Sequence, residues 1–260
     1  MIGFELKQPK SLQDATNALA EGGVLCGGGQ TLLAAMKLGL NSPESVISLG
    51  RVDELKGIRT DDSGRLCIGA MTTHADVAES AGAYPALAGL ADRIGDPAVR
   101  NRGTIGGSLA NNDPAACYPA AVLASRAEVV TGSRVIPADD FFVGLFETAL
   151  DDDEIITEVR FPIPEAASYQ KFLQPASRFA LVGVFVARFA DGVRVAVTGA
   201  ADEGVHRWGA AEEALSGDFS PSALDGLSVS PDGLIADLHA TPAYRANLVR
   251  VLTSRAVAAC

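Results

Sequence analysis

The sequence predicts an α+β fold built from two successive parts. Up to about residue 163, short strand-like runs alternate with helical segments and glycine turns. Beyond that point three strand-like runs follow one another, and Asp191-Gly192 between the last two is a strong hairpin signal. An antiparallel sheet with helices packed beside it is typical of the α+β class.

The first 55 residues are expected to form a subdomain of short strands and two helices. Ser11 is the predicted N-cap of the first helix, which runs through Ala20 and ends at Gly22-Gly23. The other elements predicted here are the strands Phe4–Lys7, Val24–Cys26 and Ser45–Leu49 and the helix Leu32–Leu38.

A glycine-rich turn, Gly27–Thr31, joins the second of these strands to the second helix. At such a junction unpaired N–H groups and the helix dipole both favour an anion. The turn does not match the dinucleotide fingerprint G-x-G-x-x-G, and the chain contains no Gly-Lys-Ser/Thr end of a Walker A loop. Taken alone, the glycines favour a plain turn over a ligand site by about two to one.

A second subdomain is expected over about residues 56–163. Its last strand is predicted at Glu154–Phe161, where apolar residues alternate and Pro162 and Pro164 follow. The other elements predicted here are the strands Leu66–Ala70, Glu128–Thr131 and Arg134–Ile136, a helix from about Thr73, and the helices Tyr84–Ile94 and Ala115–Ala124. Together the two subdomains make up a first predicted domain, residues 1–163.

The remaining residues, 164–260, are predicted to form a small α+β domain. Its three strands make an antiparallel sheet with helices on one side. The elements predicted here are the strands Tyr169–Leu173, Leu181–Phe189 and Val193–Thr198 and the helices Arg207–Leu215 and Tyr244–Val257.

One polar stretch, Val99–Pro119, stands out in an otherwise apolar chain. It contains adjacent glycines at Gly106-Gly107, hydroxyls, two amides and a carboxylate, and two arginines lie at its start. So many residues that expose the backbone or form hydrogen bonds are typical of a segment wrapped around a polar ligand. We therefore interpret it as a ligand loop.

Composition and charge exclude several classes of function. The 260 residues carry a net charge of -11, and their lysines and arginines are scattered, which argues against nucleic-acid binding. No apolar run approaches the ~20 residues that span a bilayer, and the N-terminus lacks the apolar core of a signal peptide. We expect a cytoplasmic protein with no membrane span.

The cysteines and histidines do not predict a metal site. The four cysteines include no C-x-x-C pair, and the three histidines lack metal-ligand spacing. Any redox chemistry is therefore expected to come from an organic cofactor.

Three motifs resemble those of a known family. They are C-G-G-G-Q-T-L-L at Cys26–Leu33, I-G-A-M-T-T-H at Ile68–His74 and R-N-R-G-T-I-G-G-S-L at Arg100–Leu109. In this order they resemble the FAD-binding, or medium, subunit of the molybdenum hydroxylases, the family of xanthine dehydrogenase and aerobic carbon monoxide dehydrogenase. Two later segments, D-D-E-I-I at Asp152–Ile156 and Y-Q-K-F at Tyr169–Phe172, also match the family.

The resemblance implies a fold and a binding site. The fold is a two-subdomain FAD-binding domain of the PCMH, or vanillyl-alcohol-oxidase-like, type, followed by the small α+β domain. Residues 25–32 and 104–108 would grip the FAD pyrophosphate from two sides through backbone amides. The implied cofactor-binding residues are Leu25, Cys26, Gly27, Gly28, Gly29, Gln30, Thr31, Leu32, Ala70, Thr104, Gly106, Gly107, Ser108, Ala110, Asn111, Asp113, Cys117, Ile156, Tyr169 and Lys171.

Within this set the resemblance assigns individual roles. Ala110, Asn111 and Asp113 would line the ribityl chain and adenosine. Ile156 would pack on the flavin ring, Tyr169 would shield its face and Lys171 would lie near its polar edge. Relatives usually carry an acidic residue where this chain has Cys117. A thiol accepts hydrogen bonds poorly, so this departure is expected to alter FAD affinity or potential unless Cys117 is simply a small buried side chain.

The resemblance also implies a function that requires partners. The chain would bind one FAD non-covalently, take electrons from [2Fe-2S] clusters on a small subunit and pass them to NAD, a quinone or oxygen. A large subunit would hold the molybdenum cofactor, in a heterotrimer or a dimer of heterotrimers. The alternatives are a self-contained FAD-dependent oxidoreductase of the same superfamily and a scaffold subunit that has lost FAD. No residue of this chain is predicted to be catalytic.

Simple structural interpretations are favoured for three other features. His74 is expected to be a helix-cap or structural residue, and Trp208 to be a packing residue. The charge run Asp151–Glu154 is expected to be a solvated turn before a strand.

Overall fold

A parallel three-stranded sheet, in the order β1-β3-β2, forms the start of the fold. The computed structural model describes residues 3–260, so Met1 and Ile2 of the first predicted domain lie outside the described residues. Ser11 caps the first helix as predicted, accepting a hydrogen bond of 3.1 Å from the Asp14 N–H. The elements are β1 Glu5–Lys7, α1 Leu12–Ala20, β2 Val24–Cys26, α2 Leu32–Lys37 and β3 Ser45–Ser48.

A five-stranded antiparallel sheet, β4-β5-β10-β6-β7, forms the second layer. Its edge strand β4 and a small hairpin, β8-β9, escaped the sequence analysis because both are only two or three residues long. The strands are β4 Ile58–Thr60, β5 Leu66–Gly69, β6 Glu128–Thr131, β7 Val135–Pro137, β8 Phe142–Gly144, β9 Glu147–Thr148 and β10 Ile156–Phe161. The helices between them are α3 His74–Ser80, α4 Pro85–Asp92, α5 Pro97–Arg100, α6 Ile105–Asn111, α7 Tyr118–Ala124 and α8 Ala138–Phe141.

The C-terminal sheet has four strands, where three were predicted. The predicted Asp191-Gly192 hairpin is present, and Gly192 has a φ of 142°. The additional strand pairs antiparallel with its predecessor, because Gly204 adopts a φ of 105° that reverses the chain. The elements are β11 Ala166–Leu173, β12 Ala180–Phe189, β13 Gly192–Ala201, β14 Gly204–Arg207, α9 Gly209–Gly217 and α10 Pro242–Ala258.

Helices cover both faces of the C-terminal sheet, although the sequence predicted them on one side. Val184 and Val195 pack with α9 and α10, and Trp208 is buried in the same cluster, as predicted. On the opposite face Phe185 and Ala187 join the core around α7. The continuous burial of β12 follows from this double covering, and it ties the C-terminal sheet to the first part of the chain.

The acidic run before β10 is only partly a solvated turn. Asp151, Asp152 and Asp153 are exposed as predicted, but Glu154 is buried. Its carboxylate accepts a charged hydrogen bond of 2.7 Å from Arg134 and further bonds from the hydroxyls of Thr131 and Ser133. The Arg134 bond, with the other donors, holds the pKa of Glu154 well below its ordinary value.

Within residues 3–260 none of the helices combines the length and the apolar character that crossing a membrane requires.

Replacing the buried carboxylate of Glu154 is expected to destabilise the fold. Glu154→Gln keeps the shape but loses the charge-assisted bonds, so it should cost about 2 kcal/mol of unfolding free energy at neutral pH. A carboxyl with a lowered pKa stabilises the fold above its unfolded pKa of about 4.3. The difference between the two proteins should therefore shrink as the pH falls below that value, as urea denaturation at several pH values would measure.

The matched control is Glu165→Gln, because Glu165 forms an ion pair of 3.7 Å with Arg188 whose two side chains are 41% and 55% exposed. It should change the unfolding free energy by less than about 0.5 kcal/mol. Equal losses for the two variants would contradict a special role for Glu154.

Candidate functional site

The glycine turn and the ligand loop meet in direct contact. A Cβ atom at Gly28 would overlap the carbonyl oxygen of Arg102, and one at Gly27 would lie 2.9 Å from Thr104 Oγ1. Gly106 also lies against Ala70, where a Cβ would be 2.6 Å from the alanine methyl. Both glycine clusters are therefore required for the close approach of three backbone segments.

The backbone amides of the ligand loop are already used within the protein. Ile105 donates to the carbonyl of Thr72 at 3.2 Å, and Gly106 donates to that of Ala70 at 2.9 Å. The Gly107 N–H bonds the hydroxyl of Thr104, the N-cap of α6, at 3.3 Å. These bonds hold the loop against the sheet and leave few of its N–H groups free for a ligand. The sequence predicted that both loops offer backbone amides to the pyrophosphate, but this loop offers few of them.

The glycine turn, in contrast, keeps its backbone N–H groups free. Among residues 3–260 no protein acceptor takes a hydrogen bond from the backbone N–H groups of Gly28, Gly29, Gln30 and Thr31. Gly29 adopts a φ of 72°, and α2 begins directly after the turn. A row of free N–H groups before a helix forms a concave anion-binding surface.

Both loops open into a cleft of about 740 Å³. This volume lies within the roughly 300–1,000 Å³ typical of small-molecule and cofactor sites. Every predicted site residue except Tyr169 lines it. These residues are Leu25, Cys26, Gly27, Gly28, Gly29, Gln30, Thr31, Leu32, Ala70, Thr104, Gly106, Gly107, Ser108, Ala110, Asn111, Asp113, Cys117, Ile156 and Lys171.

Tyr169 does not reach the cleft, so the structure does not place it where it could shield a ligand face. Its side chain is only 5% exposed and packs in the core, with its ring 6.2 Å from that of Phe185. Tyr169 and Lys171 occupy the same face of β11, but only Lys171 lies beside the opening, whereas the Tyr169 ring packs against Phe185 of β12.

Lys171 and Cys117 form a wall of the cleft. Lys171 is buried, and its Nζ donates to the Arg93 carbonyl at 2.8 Å and to Cys117 Sγ at 3.4 Å. Burial, followed by the nearby Cys117 sulfur, raises the pKa of the Tyr169 hydroxyl well above its usual value. The buried side chains of Lys171, Cys117 and Tyr169 therefore lie together at and behind this wall.

The sequence analysis missed several residues that line the cleft. Some come from the strap between β11 and β12, residues 177–179, which has no motif. Others lie within or beside the recognised motifs, and for those the available signal was membership in the motif itself. The missed residues include Met71, His74, Ile94, Gly95, Val99, Gly103, Leu150, Glu154, Ile155, Ser177, Arg178 and Phe179.

His74 has the structural position that was predicted. Thr73 is the N-cap of α3 and accepts a bond of 3.1 Å from the Asp76 N–H, so His74 itself is the first helical residue. Its ring packs 5.3 Å from that of Tyr118, and burial lowers its pKa to about 4. A neutral, buried imidazole at this point supports the wall of the cleft.

The C-terminal sheet holds the far end of the ligand loop. The Pro114 carbonyl accepts hydrogen bonds from the Gly199 N–H and the Thr198 hydroxyl, both at 2.7 Å. Gly199 is itself fixed, because the buried Arg245 guanidinium donates to its carbonyl at 2.7 Å. The loop is thus attached to two different sheets.

The β8-β9 hairpin holds the middle of the same loop. Asn112 follows α6 in the left-handed conformation, with a φ of 40°. Its side-chain amide donates to the carbonyls of Gly144 at 2.9 Å and Glu147 at 2.8 Å. Asn112 therefore needs its side-chain amide because the amide anchors the β8-β9 hairpin.

The family described as FAD binding domain in molybdopterin dehydrogenase matches residues 2–164 of the chain. The chain belongs to this family. Its FAD-binding domain therefore covers the glycine turn, the ligand loop and most of the cleft, and FAD is its cofactor. As a member of the family, the chain is a component of an oxidoreductase.

Relatives resemble this FAD-binding chain over nearly its whole length. The carbon monoxide dehydrogenase medium chain of Hydrogenophaga pseudoflava is 34% identical over 98% of this chain and 96% of its own length. The nicotine 6-hydroxylase medium subunit of Paenarthrobacter nicotinovorans is 37% identical over 96% of this chain and 94% of its own.

Solved structures confirm the predicted fold class. Carbon monoxide dehydrogenase from Hydrogenophaga pseudoflava includes a chain that matches with a TM-score of 0.88 at 34% identity, covering 100% of this chain and 98% of that one. Quinoline 2-oxidoreductase from Pseudomonas putida 86 matches with a TM-score of 0.89 at 27% identity, covering 99% and 96%.

The cleft of this FAD-binding chain fits the cofactor by its own features. The free N–H groups of residues 28–31 suit a pyrophosphate, and the polar side chains of Gln30, Ser108 and Asn111 beside them have no protein partner among residues 3–260. Apolar surface from Ile155 and Ile156 faces the same volume. A ligand with a charged middle and an aromatic end matches this distribution.

Adding one methyl group where the loops meet is expected to open the site. Gly28→Ala forces the turn away from the Arg102 carbonyl, so it should destabilise the fold by about 1–3 kcal/mol and weaken FAD binding. Thermal unfolding and FAD titration by fluorescence would measure both effects.

Gly89→Ala is the matched control, since Gly89 is exposed within α4 and a Cβ there meets nothing within 4 Å. It should stabilise the protein by about 0.5–1 kcal/mol and leave FAD binding unchanged. A Gly28→Ala variant with normal stability and affinity would refute the close-contact argument.

Proposed function

We propose that the chain is the electron-transfer subunit of a molybdenum hydroxylase complex. It receives electrons from [2Fe-2S] clusters of a small subunit and passes them from FAD to NAD, a quinone or oxygen. A large subunit with the molybdenum cofactor oxidises the substrate, in a heterotrimer or a dimer of heterotrimers. The observation that carries this proposal is the FAD-type cleft of a chain whose relatives are named medium chains or medium subunits.

FAD supplies the redox chemistry when bound, and the residues of this chain bind and orient it. Residues 28–31 would hold the pyrophosphate through their free N–H groups, and Thr104 and Ser108 would close the site from the other loop. Ala110, Asn111 and Asp113 would line the ribityl chain and adenosine. The side chain of Asp113 keeps one oxygen on the Ala115 N–H at 2.8 Å, which leaves the other for a hydroxyl of the cofactor.

The flavin ring would lie between Ile156 and Lys171, which both line the cleft. Ile156 offers an apolar contact, and Lys171 brings a buried positive charge. A cation close to a flavin stabilises negative charge gained on reduction. This chain thereby adjusts how readily the cofactor accepts and releases electrons, without a catalytic acid or base of its own.

The names of the relatives support a shared electron-transfer role across different substrates. They include carbon monoxide dehydrogenase, nicotine 6-hydroxylase and caffeine dehydrogenase. Chains of similar sequence serve complexes named for a gas, an alkaloid and a purine. The determinants of substrate choice therefore belong to another subunit.

Purification of the intact complex tests the proposed role. The tagged chain, isolated from cells that produce its partners, should carry one FAD per chain and co-purify with two further chains that show iron–sulfur absorption. A colourless chain that FAD does not reconstitute would indicate the scaffold alternative. FAD on a lone chain that turns over a substrate would indicate a self-contained flavoenzyme.

Flavin analogues separate the contributions of the two ends of the cleft. FAD at one hundred times its dissociation constant should stabilise the protein by about 2.7 kcal/mol, which a thermal-shift assay detects. Riboflavin lacks the phosphates that the N–H groups of residues 28–31 would bind, so it should give little shift at the same concentration. Equal shifts for FAD and riboflavin would contradict pyrophosphate binding by the glycine turn.

A further inference from the structure

Strand β13 contains an irregular segment behind the ligand loop. Its pairing with β14 shifts register between Val197 and Ala201, so the residues between them leave the ladder with β14. Gly199 lies in this segment with a φ of 77°, and a Cβ atom there would be 2.4 Å from the Ala180 carbonyl oxygen. A bulge of this kind directs polar groups away from its own sheet, and bulges are frequent beside active sites.

The polar groups of the bulge bond the turn at residues 113–116 of the ligand loop. The Gly199 N–H and the Thr198 hydroxyl both donate to the Pro114 carbonyl at 2.7 Å. The Thr198 hydroxyl also lies 2.7 Å from the Ala116 carbonyl. Because a hydroxyl has a single proton, Thr198 shares that proton between the two carbonyls of the turn.

The opposite side of this turn faces the cleft. Asp113, Ala115 and Ala116 line the cleft, whereas Thr198 is completely buried behind them. Within the turn, Asp113 Oδ1 accepts a bond of 2.8 Å from the Ala115 N–H, and the Asp113 carbonyl accepts one of 2.9 Å from the Ala116 N–H. The direction of the other carboxylate oxygen is therefore set by the turn that Thr198 holds.

The Thr198 side chain is itself held in place. A Cβ atom at Gly183, its partner on β12, would lie 2.9 Å from Thr198 Cγ2. The next residue, Gly199, accepts a bond of 2.7 Å from the guanidinium of Arg245, which also donates to Asp237 at 2.8 Å. Arg245 is only 3% exposed, so solvent does not compete for these bonds. A hydroxyl fixed in this way can keep a neighbouring turn in one position.

We propose that Thr198 is a positioning residue for FAD, which orients the Asp113 carboxylate through the turn at residues 113–116. Thr198 acts from behind the cleft and does not touch the cofactor. Without its hydroxyl the carbonyls of Pro114 and Ala116 lose this bond, and the turn must be ordered when FAD binds. The proposal rests on the placement of Asp113 beside FAD in the proposed function, but it does not depend on electron transfer.

Removal of the hydroxyl at nearly constant shape is the main test. Thr198→Val should weaken FAD binding about five- to tenfold, because a bond that preorganises the site is lost. Thr198→Ser keeps the hydroxyl and should bind FAD within about twofold of the unmodified chain. FAD is removed from each full-length chain and titrated back by flavin fluorescence, well below the unfolding temperature. Thr198→Ala, which leaves room for a water at the two carbonyls, takes the place of Thr198→Val if the valine variant does not fold.

Thr253→Val is the matched control. Thr253 is also completely buried, and its hydroxyl donates to the Val249 carbonyl within α10 at 2.7 Å. This variant should change the dissociation constant of FAD by less than about twofold, because its hydroxyl serves only its own helix. A change in the unfolding temperature of Thr198→Val, with an affinity equal to that of Thr253→Val, would refute the positioning role.

A double-mutant cycle tests the route through Asp113. Asp113→Asn keeps the bond to the Ala115 N–H but loses the charge, so it should weaken FAD binding about tenfold. In that background Thr198→Val should cost less than about twofold more, because residues that act through one another are not additive. An equal loss in both backgrounds, or normal FAD binding by Asp113→Asn, would overturn the proposal. Failure of the proposed function would appear instead in the purification of the intact complex.

Discussion

The contact between the glycine turn and the ligand loop determines the geometry of the site. Gly28 lies against the Arg102 carbonyl so closely that no side chain fits between them. With the loop docked on the sheet through its own amides, the turn remains the segment with free N–H groups. Rigid packing on one side and unpaired donors on the other are what a preorganised anion site requires, because the ligand then binds without reordering the backbone.

A second constraint comes from the C-terminal sheet. The Pro114 carbonyl is bonded by Gly199 and Thr198, and a buried arginine on the last helix holds Gly199 in place. Residues far apart in sequence thus fix the end of the ligand loop that carries Asp113. Because α7 packs on the same sheet, the C-terminal part is a structural component of the cleft and not an appendage.

Local signals in the sequence were sufficient to predict most helices and strands and half of the residues that line the cleft. Caps such as Ser11, the Asp191-Gly192 hairpin and the glycine clusters act over a few residues, so their consequences are visible in sequence. The fourth C-terminal strand was missed because it has only 4 residues, and features set by long-range packing were missed as well. The position of Tyr169 depends on a packing partner on β12, and the burial of Glu154 depends on Arg134; neither partner is marked locally.

The wall at Lys171 shows how the identity of one neighbouring side chain sets the surroundings of a buried amine. Lys171 Nζ donates to Cys117 Sγ at 3.4 Å and to the Arg93 carbonyl at 2.8 Å. A thiol sulfur is a weaker hydrogen-bond acceptor than a carboxylate oxygen. A polar atom of a ligand in the cleft therefore competes more easily for the Lys171 N–H groups beside Cys117 than it would beside a carboxylate.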